Sequence, residues 1–176
     1  KIRLSKGYVK LALIDPDSKN DLKFEKIISR IEKSHFDGIL IGGSKVEPIH
    51  YEKRIKLLSN LLNLPTLLFP GSSKQVTKHI KSMLYLNLIS GRNPKYLIEE
   101  HVNSSLEIYS NKINTIPTAY ILLNGGVHTT VEQQSETVAL SMDNFENVLK
   151  HALAGQYLGN KLIYFDCGSG AKNIIK

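Results

Sequence analysis

No apolar run in this 176-residue sequence approaches the ~20 residues that a membrane-spanning helix needs. The longest runs, such as Ala119–Leu123 and Leu162–Phe165, have the length of strands. The single cysteine excludes a disulfide framework and a Cys-rich zinc site, and a reducing compartment such as the cytoplasm fits. Lysines never gather into a block of five or six, and no run of aromatics has the look of an RNA-binding strand, so no nucleic-acid partner is expected. Residues 1–10 lack the apolar stretch of a signal peptide. The six histidines show neither HxxxH nor HExxH spacing, and neither a P-loop nor a complete GxGxxG occurs.

What is present describes a globular chain with an anionic partner. Hydrophobic residues make up 41% of the chain, too many for a disordered one. Lys and Arg number 23 against 16 Asp and Glu, a net charge of +7 that favours phosphorylated metabolites or anionic surfaces. The length suits one domain with its own core.

One pattern repeats along the chain. Short apolar runs end in Gly, Asp, Ser or Pro, and an amphipathic stretch follows. The runs are Val9–Ile14, Gly38–Ile41, Thr66–Phe69, Met83–Ile89, Ala119–Leu123 and Leu162–Phe165. Continuous apolar strands are expected where a parallel sheet is buried on both faces. Helices are expected over Leu22 to Glu32, capped by Asp21, and over Ile49 to Leu62, with Pro48 at the start. A third runs from about Lys95 to Tyr109 behind Asn93-Pro94, and a fourth starts at a capping box of Asp143 and Glu146 and ends near Gly159. Gln75–His79 is long enough for one or two turns only, and polar Val127 to Met142 reads as a lid or a strand-like excursion. The alternation leaves a doubly wound sheet or part of a (β/α)8 barrel, and both build their sites at the carboxyl ends of strands.

The polar residues stand at those ends. Asp15 and Asp17 can hold Mg²⁺ through hard oxygen ligands, or can serve a turn and a helix cap. Gly42-Gly43-Ser44 and Pro70-Gly71-Ser72 permit close backbone approach to a ligand, and are equally ordinary as βα turns. Gly168-Ser169-Gly170 can cradle a phosphate with backbone N–H groups. Tyr164, Asp166 and Gly168 alternate, so they share a direction, and Asp166 is either a general base or a partner of the loop amides. Cys167 reads as a small packing group, and Arg92 as an anion contact or a solvated arginine.

Taken in order, LIDPD (13–17), ILIGGS (39–44), LLFPGS (67–72), LISGRNPKYLIEEHV (88–102), IPTAYILLNGG (116–126) and ALAGQYLGNKLIYFDCGSGA (152–171) resemble one family. It is the geranylgeranylglyceryl and heptaprenylglyceryl phosphate synthases, and the SGRNP stretch is most similar to their larger, archaeal-and-Bacteroidetes branch. The resemblance spans nearly the whole chain. It implies an α/β fold of the (β/α)8 TIM-barrel type, with residues 1–176 forming a single incomplete barrel domain of about six of eight βα units. The chain is expected to be a fragment that stops before the last two. The implied reaction is Mg²⁺-dependent transfer of a polyprenyl group from its diphosphate to sn-glycerol 1-phosphate. Asp15 and Ser44 match the family's magnesium positions. Tyr164, Phe165, Asp166, Cys167, Gly168, Ser169 and Gly170 match its glycerol-phosphate segment, with Asp166 as the base. Phe165 and Cys167 replace the usual Leu and Ala. A homo-oligomer and peripheral membrane contact are further expectations. Another phosphate-binding barrel enzyme, of isomerase or aldolase type, and a non-catalytic binding remnant remain as alternatives.

Overall fold

The computed structural model describes residues 7–44 and 49–175. Six strands appear: β1 (Leu11–Ile14), β2 (Gly38–Ile41), β3 (Thr66–Leu68), β4 (Ser82–Leu88), β5 (Asn114–Leu122) and β6 (Leu162–Asp166). Among them lie α1 (Phe24–Lys33), α2 (Tyr51–Leu61), α3 (Glu100–Ser110), the short α4 (Thr130–Ser135) and α5 (Phe145–Tyr157). The strand order is β1-β2-β3-β4-β5-β6. The β1/β2, β2/β3, β3/β4 and β5/β6 ladders are parallel. A doubly wound sheet reverses its order at a switch point, whereas barrel-type strands follow one another in sequence, so the topology removes the first alternative.

The chain divides into two compact units, Lys1–Met83 with Glu107–Asn114, and Leu84–Leu106 with Thr115–Lys176. In the first, β2 is buried along its whole length, as continuous apolar strands require. Helix α1 buries Phe24, Ile28 and Ile31, spaced at i, i+4 and i+7 on one face. Ile55 and Leu58 do the same for α2 and are fully buried. Arg54 of α2, itself buried, grips Asp21 with Nε on Oδ1 at 2.6 Å and Nη2 on Oδ2 at 2.9 Å. Asp21 therefore does not cap a helix. Asp17 does so instead, opening a 3₁₀ turn (Ser18–Lys23) ahead of α1. Pro48 lies outside the described residues. The β3-to-β4 crossover has only a 3₁₀ turn, Ser73–Gln75, and no α-helix.

In the second unit, β5 is buried from Thr118 to Leu122. Its start, Asn114, precedes the apolar run that the sequence shows. Helix α5 lies close on β5: a Cβ added to Gly155 would stand 2.5 Å from the Ala119 Cβ. Its N-cap is Asn144, which accepts from Asn147 N–H at 3.1 Å, in place of Asp143. Helix α3 is opened by a π-helical turn, Lys95–Glu99. The segment 127–142 holds α4 and then pairs in parallel at Leu140 with Leu123, so its second half is strand-like. β1 and β6 end the strand order, and their apolar side chains are only partly covered: Leu13 is 53% exposed and Leu162 45%. No helix among the described residues is long and apolar enough to cross a membrane.

Candidate functional site

Register decides which loops meet. In the first unit Ile14 pairs with Ile41, and Ile41 with Leu68. The residues that follow, Asp15, Gly42-Gly43-Ser44 and Phe69-Pro70-Gly71, therefore leave the sheet at one edge. A Cβ on Gly42 would lie 1.8 Å from the Phe69 carbonyl oxygen, so only glycine lets these loops touch. The Gln75 carboxamide, 3% exposed, ties them together. It donates to Gly43 O and accepts from Gly71 N–H, both at 3.0 Å. The buried Tyr51 hydroxyl in turn donates to Gln75 O at 2.8 Å.

Asp15 points into this edge, with its Oδ1 3.0 Å from an ideal Cβ on Gly43. Lys19 donates to Asp15 Oδ2 at 3.0 Å and reaches Asp17 Oδ2 at 3.6 Å. The hydrogen bond to Asp15 raises the Lys19 pKa, so the ammonium persists. Asp15 Oδ1 is buried and has no hydrogen-bond partner among the described residues. A buried carboxylate oxygen left unpartnered is costly unless a donor or cation arrives. Asp17 differs, because its carboxylate accepts from Lys19 N–H at 3.0 Å as a cap, and that bond chiefly lowers its pKa. Among the described residues no three His, Cys, Asp or Glu side chains converge as a metal cage. A hard cation resting on one carboxylate, a hydroxyl such as that of Ser44, waters and substrate phosphate still fits the donor set, since magnesium binds in that way.

In the second unit Leu122 pairs with Asp166, which sends Asn124-Gly125 and Cys167-Gly168 off one edge. The Tyr120 hydroxyl donates to Asp166 Oδ2, and Gly168 N–H donates to Asp166 Oδ1 at 2.7 Å. Tyr120 and Tyr164 are register partners, and their rings stack with centroids 5.5 Å apart. Burial, and then the charge of Asp166, raises the pKa of both phenols, so both stay protonated. Phe165 alternates to the opposite face of β6 and is 38% exposed. Cys167 Sγ lies 4.0 Å from Met142 Sδ, and burial raises the thiol pKa, as expected for a packing group. Ser169 and Gly170 are exposed at the loop tip, and Lys172 and Asn173 N–H anchor its far end on Gly125 O at 2.7 and 3.0 Å.

Arg92 is occupied locally. Its Nη1 donates to Ile89 O and Gly91 O, and its Nη2 meets His151 Nε2 at 3.2 Å. Sequence reasoning missed Gln75, Tyr120, Lys19 and the Thr129–Glu132 pair. Of these only the last has a local signal, the Thr-x-x-Glu of a capping box.

Known proteins are similar to this chain over nearly its whole length. The geranylgeranylglyceryl phosphate synthase of Chitinophaga pinensis is 37% identical over 174 residues, covering 98% of this chain and 69% of that protein. The one from Picrophilus torridus is 31% identical, covering 99% and 73%. Among solved structures, the (S)-3-O-geranylgeranylglyceryl phosphate synthase of Thermoplasma acidophilum, in complex with its substrate sn-glycerol-1-phosphate, aligns with a TM-score of 0.88 at 27% identity, over 97% of this chain and 69% of that one. This likeness gives the fold class as TIM-barrel type. A model of the PcrB family matches residues 2–176, and the chain belongs to the PcrB family.

Proposed function

We propose that the chain is a prenyltransferase, joining a polyprenyl diphosphate of the geranylgeranyl kind to the hydroxyl of sn-glycerol 1-phosphate with Mg²⁺ as cofactor. The product is a prenylglyceryl phosphate ether. The observation that carries this reading is the pair of carboxylates at strand ends. Asp15 keeps a buried oxygen beside Gly43 that has no partner among the described residues, while Asp166 is fixed at the root of a glycine loop.

Asp15 and Ser44 would hold the cation, which would supply charge neutralisation for the departing diphosphate. The Gly168–Gly170 loop cradles the phosphate of the acceptor with the backbone N–H groups of Ser169 and Gly170, that of Gly168 being held by Asp166, and Tyr164 lines its approach. Asp166 takes the proton of the acceptor hydroxyl as the ether bond forms. Each carboxylate oxygen has more than one lone pair, so the bonds from Tyr120 and Gly168 orient Asp166 without exhausting it. The apolar tail needs a long dry surface. The β3-to-β4 crossover, where no α-helix covers the sheet among the described residues, is the place where a chain of carbons can lie.

Residues 1–176 act as one incomplete barrel domain, supported by the alignment of 97% of the chain to a single synthase chain. The protein works in the cytoplasm as a homo-oligomer with peripheral membrane contact. The exposed Val102 and Leu106 of α3 and Phe145 and Tyr157 of α5 supply apolar surface for one or both contacts.

The test is turnover. The chain is given sn-glycerol 1-phosphate, Mg²⁺ and a ladder of prenyl diphosphates, and the ether is detected by mass. Product is expected with one range of donor lengths. A folded chain that makes none with any donor overturns the reading.

A further inference from the structure

We infer that Thr129 is a positioning residue for the acceptor loop: its γ-methyl is the backstop that keeps Gly168 N–H on Asp166. The inference rests on the proposed role of that loop.

Gly168 has φ +79, and a Cβ there would stand 2.1 Å from Thr129 Cγ2. The loop backbone thus lies directly against the threonine methyl. Thr129 is only 4% exposed and has little freedom to give way. It is the N-cap of α4 within a complete capping box: Thr129 Oγ1 accepts from Glu132 N–H at 3.2 Å, and Glu132 Oε2 accepts from Thr129 N–H at 2.8 Å. The other Glu132 oxygen accepts from Ala139 N–H at 3.3 Å, closing the segment on itself.

The segment is also fixed from outside. The Tyr96 hydroxyl donates to Gln134 O at 3.0 Å, and the Asn93 amide to Ser135 O at 3.2 Å. Leu140 N–H bonds Leu122 O at 2.9 Å, and Asn124 N–H bonds Leu140 O at 2.8 Å. Residues 129–140 therefore form a strap braced on three sides, with the Thr129 methyl pressed on the one glycine whose amide holds Asp166. Among βα connections a long excursion of this kind needs a reason, and backing the glycine loop supplies one. Thr129 touches neither substrate; it acts through Gly168.

Two substitutions separate the methyl from the cap. Thr129→Ser keeps the capping hydroxyl and deletes the methyl. Thr129→Val keeps the methyl and deletes the hydroxyl. Binding of sn-glycerol 1-phosphate is measured by calorimetry without donor, and amide exchange at Gly168 by ¹⁵N NMR. Thr129→Ser is expected to weaken acceptor binding about three- to tenfold, the scale of one buried methyl. It should also lose protection at Gly168 and lower the thermal midpoint by no more than about 2–4 °C, the scale of one buried methyl, while the KM for prenyl diphosphate stays near wild type. Thr129→Val should lower the thermal midpoint and retain more of the acceptor affinity. The inference falls if Thr129→Ser binds acceptor as wild type does, if Gly168 keeps its protection, or if acceptor and donor constants move together. If the wild-type chain itself binds no sn-glycerol 1-phosphate, the proposed function falls first and the inference with it.

Discussion

The two strand-end carboxylates share a position in the β/α pattern and differ in everything around them. Asp15 follows β1 with one oxygen buried and without a partner among the described residues, and the other held by the ammonium of Lys19, a side chain that is 64% exposed. Asp166 closes β6 with one oxygen on a buried tyrosine hydroxyl and the other on a backbone amide. One carboxylate is underdetermined, and its neighbour of charge is an exposed lysine. The other is locked between a buried phenol and a backbone amide. An underdetermined carboxylate suits a ligand that arrives with substrate, since little must be broken to admit it. A locked one suits a group whose direction matters, because preorganisation removes the cost of aiming it at the moment of reaction.

Three substitutions test that contrast. The largest effect is expected from Asp15→Asn, which removes the charge that the cation needs. Turnover should fall about a thousandfold, near the top of the range seen for deleting one group that stabilises charge in the transition state. Circular dichroism should be unchanged, because nothing in the core depends on that charge. An active Asp15→Asn protein would remove Asp15 from the metal site. Next comes Asp166→Asn, which keeps the shape and the bond from Gly168 N–H while losing the base. Turnover should drop about a hundredfold, the scale of general-base catalysis, with a smaller loss in affinity for sn-glycerol 1-phosphate. Equal losses in both would make Asp166 a binding group. The smallest effect is expected at Lys19. Lys19→Met frees Asp15 Oδ2 of its internal cation, so Mn²⁺ binding, read by the free-ion resonance, should tighten about three- to tenfold, as expected for one charge removed at contact distance in water. Unchanged affinity would mean that the lysine and the metal do not compete.

How much could be read beforehand varies with the range of the interaction. The apolar runs located the six strands of the described residues; for β2, buried at every position, the reason is that a parallel strand covered on both faces has to be apolar throughout. Strand β5 was readable only from Ala119, because its first residues, Asn114 to Thr118, carry no such run yet still extend the strand. Caps were readable to within a residue or two. Asp143 and Asn144 are equivalent on paper, and the backbone at Asn144, with its oxygen facing Asn147 N–H, selects one. Asp21 has the look of a cap as well, but Arg54, 33 residues on, takes both its oxygens.

The candidate site follows the same rule. Asp15, Ser44 and the 164–170 segment announce themselves as polar or glycine residues just past apolar runs. Tyr120 does not, because inside a strand it reads as core. Only the β5/β6 register brings its hydroxyl to a carboxylate 46 residues away. Gln75 is equally silent in sequence, since a buried carboxamide has meaning only once two loops meet around it.

Periodicity and motif order, which are properties of the chain alone, suffice for the β/α alternation, for the strand ends that carry the polar residues and for the family resemblance. Tertiary structure decided the sequential strand order, which carboxylate is held at both oxygens and which keeps one without a partner among the described residues, and how the 127–142 segment folds. Those outcomes depend on partners distant in sequence, and a buried donor or acceptor finds its partner only when packing has brought the two together.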